Sequence, residues 1–253
     1  MTERPPKILI HETEEELALG AALVFSEIAL DCAQSAGRFV AALSGGATPR
    51  AMYRLLAEDE HRRYIPWDRT HLFWVDERCV AKDHPESNYG GIQKDLLSHL
   101  SIPKTHIHPI PAEVTASEGA LRYEKTIRRF FRVEEGNAPV FDLIVLGVGE
   151  DGHTASLFPN QPSLKEENRL VLPVRGGIPD IERITMTFPL LNNARRIMIL
   201  VSGGKKAETV GRLFSDRPEQ RCMPIRRIDP SHGKVLWMID GDAAALISSE
   251  ANL

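Results

Sequence analysis

Short runs of β-branched and aromatic residues alternate along this chain with longer stretches in which apolar positions recur every three or four residues. The short runs predict strands at 7–10, 38–43, 70–75, 141–146, 170–174, 184–187, 196–201 and 235–239. Helices are expected over 17–33, from about Pro49, over 116–131 and over 205–214. Thr13, with Glu16 three residues on, has the form of a capping box for the first of these. The run 141–146 is the most apolar and reads as a central strand. Such alternation predicts an α/β fold, with a Rossmann-like, mostly parallel sheet and helices on both faces. Glycine and proline are spread evenly, and neither a linker nor a repeat interrupts the pattern. One domain over 1–253 is the simpler reading.

Composition narrows the classes of partner. The 253 residues are 42% hydrophobic and 26% charged, as in an ordinary folded protein with a sizeable core. Net charge is -4, without a basic block, which argues against nucleic acid or an anionic membrane surface as partner. A small anion remains possible, because a local pocket of Arg, Lys and backbone N–H groups needs no net positive charge. The opening MTERPPKILIHETEEEL has neither the apolar run of a secretory signal nor the basic character of a transit peptide. No stretch approaches the roughly 18 apolar residues of a membrane span. Three cysteines, Cys32, Cys79 and Cys222, are an odd number without a CxxC spacing, as expected for thiols in a reducing compartment. The expected location is the cytoplasm, as a monomer or small homo-oligomer.

Candidate chemistry collects where strands end: SGG, DER, GVGEDGH and SGGKK. In open α/β sheets ligands bind at the carboxyl ends of strands, so these loops are expected to converge. Ser44-Gly45-Gly46-Ala47-Thr48-Pro49 joins a strand to a helix. It is either an ordinary turn or a phosphate cradle, with backbone N–H groups at a helix start and the Ser44 and Thr48 hydroxyls as donors. No GK[ST] follows, so it is not a Walker loop. Gly147-x-Gly149-x-x-Gly152 matches GxGxxG, but Pro159 stands seven residues after Gly152 and should stop the long helix that a dinucleotide site requires. The remaining readings are a plain glycine turn, or a turn presenting His153 and backbone N–H groups to a ligand. Asp76-Glu77-Arg78 is either a solvated charge run or an acidic and cationic group at a site rim. His106 and His108 share one face of an extended segment, as metal ligands do, but no third ligand at suitable spacing accompanies them. A GxSxG elbow is absent.

Taken together, the loops resemble those of the 6-phosphogluconolactonase family. The resemblance rests on SGGATP at 44–49, VDER at 75–78, SNYG at 87–90 and GVGEDGHTASLFP at 147–159. It continues through ERITMTFPLLNNA at 182–194, SGGKKA at 202–207 and LWMID near the end. That family is similar in fold to glucosamine-6-phosphate deaminases, whose turn continues in the manner of HIAFNEP with a carboxylate used in ring opening and deamination. Here Thr154, Ala155, Ser156, Leu157 and Phe158 follow His153, and that carboxylate is missing. The segment 175–180 departs from the proline-rich form associated with the family.

The resemblance implies hydrolysis of 6-phospho-D-glucono-1,5-lactone to 6-phosphogluconate in the pentose phosphate pathway. A lactone is an activated ester, so its hydrolysis needs a base for water and a stabiliser for the oxyanion, and no metal or cofactor is expected. A histidine with an ordinary pKa of about 6.5 supplies a neutral ring at cytosolic pH. His153 is the expected base, with Asp151 to orient it. Backbone N–H groups of the 147–152 turn, Gly149 among them, are expected at the oxyanion. Arg78 and Asp76 are expected to face the sugar or the developing charge. Ser44, Gly45, Gly46 and Thr48 are expected around the phosphate, with Arg183 and Lys206 supplying positive charge; Lys205 is the neighbouring alternative. A deaminase, or a sugar-phosphate-binding module without activity, are the competing readings.

Overall fold

The computed structural model describes residues 7–215 and 222–247. Its elements run β1 (Lys7–His11), α1 (Glu14–Ala36), β2 (Phe39–Leu43), α2 (Ala47–Ala57), α3 (Asp59–Arg62), β3 (Thr70–Trp74), β4 (Asp76–Arg78), α4 (Asn88–Asp95), β5 (Ile107–His108) and α5 (Ala116–Phe131). They continue β6 (Leu143–Gly147), β7 (Val171–Gly176), β8 (Ile181–Met186), α6 (Phe188–Leu191), β9 (Arg196–Val201), α7 (Ala207–Leu213), β10 (Lys234–Asp240) and α8 (Gly241–Ala244). The main sheet has seven strands in the order β1-β10-β9-β6-β2-β3-β5, every pair parallel. Its central strands are apolar on both faces: all of β2 and nearly all of β6 and β9 are buried. Burial on both faces is what a parallel sheet flanked by helices demands.

Local chemistry explains the helix boundaries. The Thr13 side chain accepts the Glu16 N–H at 3.2 Å, and the Glu16 carboxylate accepts the Glu12 N–H at 3.0 Å, so α1 opens on the expected cap. It closes at Gly37, whose φ of 77° is left-handed. Thr115 caps α5 in the same way, accepting the Glu118 N–H at 3.3 Å. The helix α4 has no counterpart among the expected elements: its Gly90-Gly91 pair conceals it by weak propensity. Gly90 is required there, since a Cβ would lie 2.3 Å from the Lys82 carbonyl oxygen.

The segments at 170–174 and 184–187 are strands, but they lie outside the parallel sheet. They form β7 and β8, which pair antiparallel with each other and, through β8, with β4. Asp76-Glu77-Arg78 is therefore an edge strand of a second, three-stranded sheet rather than a loop. The divergence begins at Trp74. Pairing of β5 with β3 reaches only Leu72 and Phe73. At the next residue the Tyr123 hydroxyl from α5 donates to the Trp74 carbonyl at 2.9 Å and accepts its N–H at 2.8 Å. The chain then leaves one sheet and enters the other.

Candidate active site

Four adjacent strands of the main sheet, β9, β6, β2 and β3, lead into the SGGKK, GVGEDGH, SGG and DER segments, the last of which is β4. The sheet reverses its strand order between β2 and β6, the kind of point at which α/β sheets form a ligand crevice. After β2, Gly46 takes a φ of 101° and starts α2, aiming backbone N–H groups outward. The Ser44 carbonyl accepts the Tyr53 hydroxyl at 2.8 Å, while the buried Ser44 Oγ has no protein partner. Thr48 Oγ1 lies 2.7 Å from Ser202 Oγ, joining this loop to the one after β9.

Beyond β3, two buried carboxylates diverge in role. Glu77 accepts the backbone N–H groups of Arg78, Asn88 and Tyr89 at 2.7–2.8 Å, and the Ser87 hydroxyl at 3.2 Å. Burial raises the Glu77 carboxyl above its ordinary value despite those three N–H groups. It anchors the start of α4. Asp76 accepts the Ser156 hydroxyl at 2.6 Å on one oxygen and the Asn88 amide at 3.2 Å on the other. Arg78 is directly opposite Arg183 across β4 and β8. Its Nη1 donates to the Glu86 carbonyl and to Asn88 Oδ1, while its Nε is buried without a protein partner. Arg183 is buried, donating through Nε to the Gly176 carbonyl at 2.9 Å. Burial and then the charge of Arg78 lower the Arg183 pKa, as expected of a cation short of negative partners.

The turn after β6 presents the histidine. His153 Nδ1 is 2.5 Å from Asp151 Oδ1, and the same oxygen accepts the His153 N–H at 3.0 Å. Gly149 N–H donates to the His153 carbonyl at 2.8 Å, and Gly152 N–H to the Gly149 carbonyl at 3.0 Å. Those two N–H groups are thus spent on shaping the turn. A Cβ on Gly149 would lie 2.0 Å from His153 Nδ1, so glycine there clears room for the ring. Phe158 stacks obliquely on the His153 ring at 4.8 Å, and the Arg183 guanidinium lies over its ring at 5.5 Å. Burial pushes the Asp151 carboxyl up, but the hydrogen bond and charge of His153 pull harder and hold it below the ordinary value. No helix opens at Gly152, so GxGxxG here is a turn.

In the loop after β9, Asp240 accepts the Gly203 N–H on both oxygens, at 2.9 and 3.1 Å. Lys206 is half-buried and Lys205 exposed. Burial lowers the Lys206 pKa, with Glu150 and Asp151 pulling it back.

A family model described as glucosamine-6-phosphate isomerases/6-phosphogluconolactonase matches residues 12–237. The chain belongs to this family. It is 42% identical over 209 residues to a 6-phosphogluconolactonase of Synechocystis sp., across 82% of this chain and 84% of the relative. The crystal structure of a devB protein superposes with a TM-score of 0.85 at 36% identity, covering 95% of this chain and 100% of that one. The 6-phosphogluconolactonase of Trypanosoma brucei gives a TM-score of 0.81 at 26% identity, covering 96% and 99%.

In this member of the glucosamine-6-phosphate isomerase/6-phosphogluconolactonase family, contacts link Asp76, Arg78 and Arg183 to the His153 turn through Ser156 and Phe158. Asp151 and His153 meet directly. His106 and His108 instead stack with His71, Phe73 and Phe130 at the β3–β5 edge. Among the described residues no group of three His, Cys, Asp or Glu side chains is placed to hold a metal ion, and no helix is long and apolar enough to cross a membrane. The sequence reading missed Asn88, Ser156, Phe158 and Asp240 as individual site residues. Each sits inside one of the motifs above, but its contacts, such as Ser156 with Asp76 and Asp240 with Gly203, depend on the fold rather than on the local pattern.

Proposed function

We propose that this chain hydrolyses 6-phospho-D-glucono-1,5-lactone to 6-phospho-D-gluconate, with His153 as general base. The observation that carries this reading is the His153–Asp151 pair on a glycine-cleared turn at the ends of the sheet strands. With a carboxylate at Nδ1, the hydrogen of the neutral ring belongs on Nδ1, leaving the Nε2 lone pair for water. Nε2 takes a proton as the water oxygen attacks the lactone carbonyl. The tetrahedral oxyanion collapses, the ring C–O bond breaks, and the leaving oxygen regains the proton from His153. Arg78, whose side chain is partly exposed, is assigned to the developing negative charge. The free N–H groups at the SGG turn, the Ser44 hydroxyl, Arg183 and Lys206 are assigned to the phosphate. Asp76 is assigned to holding this assembly through Asn88 and Ser156.

A deaminase needs a carboxylate after the histidine of this turn. Here Phe158 stands at that position, with its ring 4.8 Å from the His153 ring. The reading places the enzyme in the cytoplasm, without metal or cofactor. The test is loss of fresh lactone above its spontaneous rate, in the presence of a chelator. Ammonia release from glucosamine 6-phosphate instead would favour the deaminase.

A further inference from the structure

Asn88 stands at the first residue of α4, where a polar side chain ordinarily serves the helix itself. That task belongs to its neighbour: Ser87 Oγ accepts the Gly90 N–H at 3.0 Å. The Asn88 side chain turns away from its own helix. Its Nδ2 donates to the Asp76 carbonyl at 2.9 Å and to Asp76 Oδ1 at 3.2 Å. Its Oδ1 accepts Arg78 Nη1 at 3.0 Å. The same oxygen lies 1.9 Å from where a Cβ on residue 45 would stand, so Asn88 packs on the bare backbone of Gly45. The residue is buried, and Glu77 fixes its backbone by accepting the Asn88 N–H at 2.8 Å.

One amide therefore touches the SGG turn, Asp76 and Arg78. Its two ends are not interchangeable. The oxygen suits a guanidinium donor, and the NH2 suits two Asp76 oxygens. We infer that Asn88 is a positioning residue, which orients the Arg78 guanidinium towards the substrate in register with the SGG turn. This inference rests on the lactonase reading above and adds to it a residue that acts through Arg78.

The test is a double-mutant cycle with the phosphorylated lactone, comparing wild type, Asn88→Ala, Arg78→Ala and the pair. A hydrogen bond to a charged group corresponds to about a 10- to 100-fold effect, so Asn88→Ala should lower kcat/KM by that order. In the Arg78→Ala background the same change should cost less than about threefold, because residues acting as one unit are not additive. A merely structural asparagine would give equal losses in both backgrounds, and that result overturns the inference. So does near-normal activity of Asn88→Ala, or an Arg78→Ala enzyme without defect, which leaves nothing to act through. If Asn88→Ala does not fold, Asn88→Asp replaces it. That change keeps an acceptor for Arg78 but sets an oxygen against Asp76, and the same dependence on Arg78 is expected. A wild type that leaves the lactone at its spontaneous rate would bring down the lactonase reading itself, whereas additivity with an active wild type removes only the role of Asn88.

Discussion

Asp151 Oδ1 holds His153 twice, at the ring Nδ1 (2.5 Å) and at the backbone N–H (3.0 Å). One carboxylate oxygen thereby sets both the turn and the ring. Asp151→Asn keeps the size but removes the anion opposite the ring. Losing a charge-assisted hydrogen bond should lower kcat by about tenfold or more, with KM little changed. An Asp151→Asn enzyme with normal kcat would mean that the pair serves only the turn.

Gly149 gives an independent check on the placement of the ring. Its backbone is not in the left-handed region, so alanine adds no torsional strain. The added methyl would sit 2.0 Å from His153 Nδ1 and 2.7 Å from Asp151 Oδ1. Gly149→Ala should lower kcat on the order of 100-fold, as a displacement of about 1 Å does, while the melting temperature stays near that of wild type. Unchanged kcat would show that the ring position does not matter.

Arg183 and Lys206 are both partly stripped of water, and burial lowers the pKa of each. Cations in that state favour an arriving anion. Lys206→Ala should raise KM for the phosphorylated lactone by about 10- to 100-fold, and Arg183→Ala by a similar order. Both should matter far less for the unphosphorylated lactone. Equal losses on the two substrates would remove the phosphate assignment.

The ring cluster at the β3–β5 edge predicts acid sensitivity of the fold. Burial first, then neighbouring histidine rings, lower the pKa of His71 and His108 to about 4; Arg38 adds to the effect on His71 and Arg129 to that on His108. Their unfolded value is about 6.5, so between these limits the unfolded chain binds more protons than the folded one. The stabilisation is complete above about pH 6.5 and is lost as pH falls towards 4. His108→Phe keeps the stacking partner of Phe73, 4.2 Å away, and removes one of these protons. Melting temperatures recorded from pH 7 to pH 4 should fall less steeply in this variant than in wild type. Parallel curves would show that the cluster does not drive acid loss.

Much of this arrangement was legible before the fold was known. Apolar runs gave the central strands because strands buried on both faces must be apolar. The loops after those strands carried the glycines, histidine and charges. Strand partners were not legible: periodicity says that 170–174 and 184–187 are extended, but not that they pair antiparallel in a separate sheet. Polar Asp76-Glu77-Arg78 lacks the apolar signal of a strand, and Gly90-Gly91 hides α4. The Ser156–Asp76 and Asn88–Arg78 contacts depend on tertiary placement, which no local pattern encodes.

The central claim is general-base hydrolysis at His153, and turnover of fresh 6-phosphogluconolactone by wild type and His153→Ala measures it most directly. Both should be assayed with a chelator present and corrected for spontaneous hydrolysis, with folding checked by melting temperature. Wild type should accelerate the loss of lactone, and His153→Ala should retain substrate binding while losing about 10²- to 10⁴-fold in kcat. A folded His153→Ala enzyme that turns over at close to the wild-type rate would contradict the account.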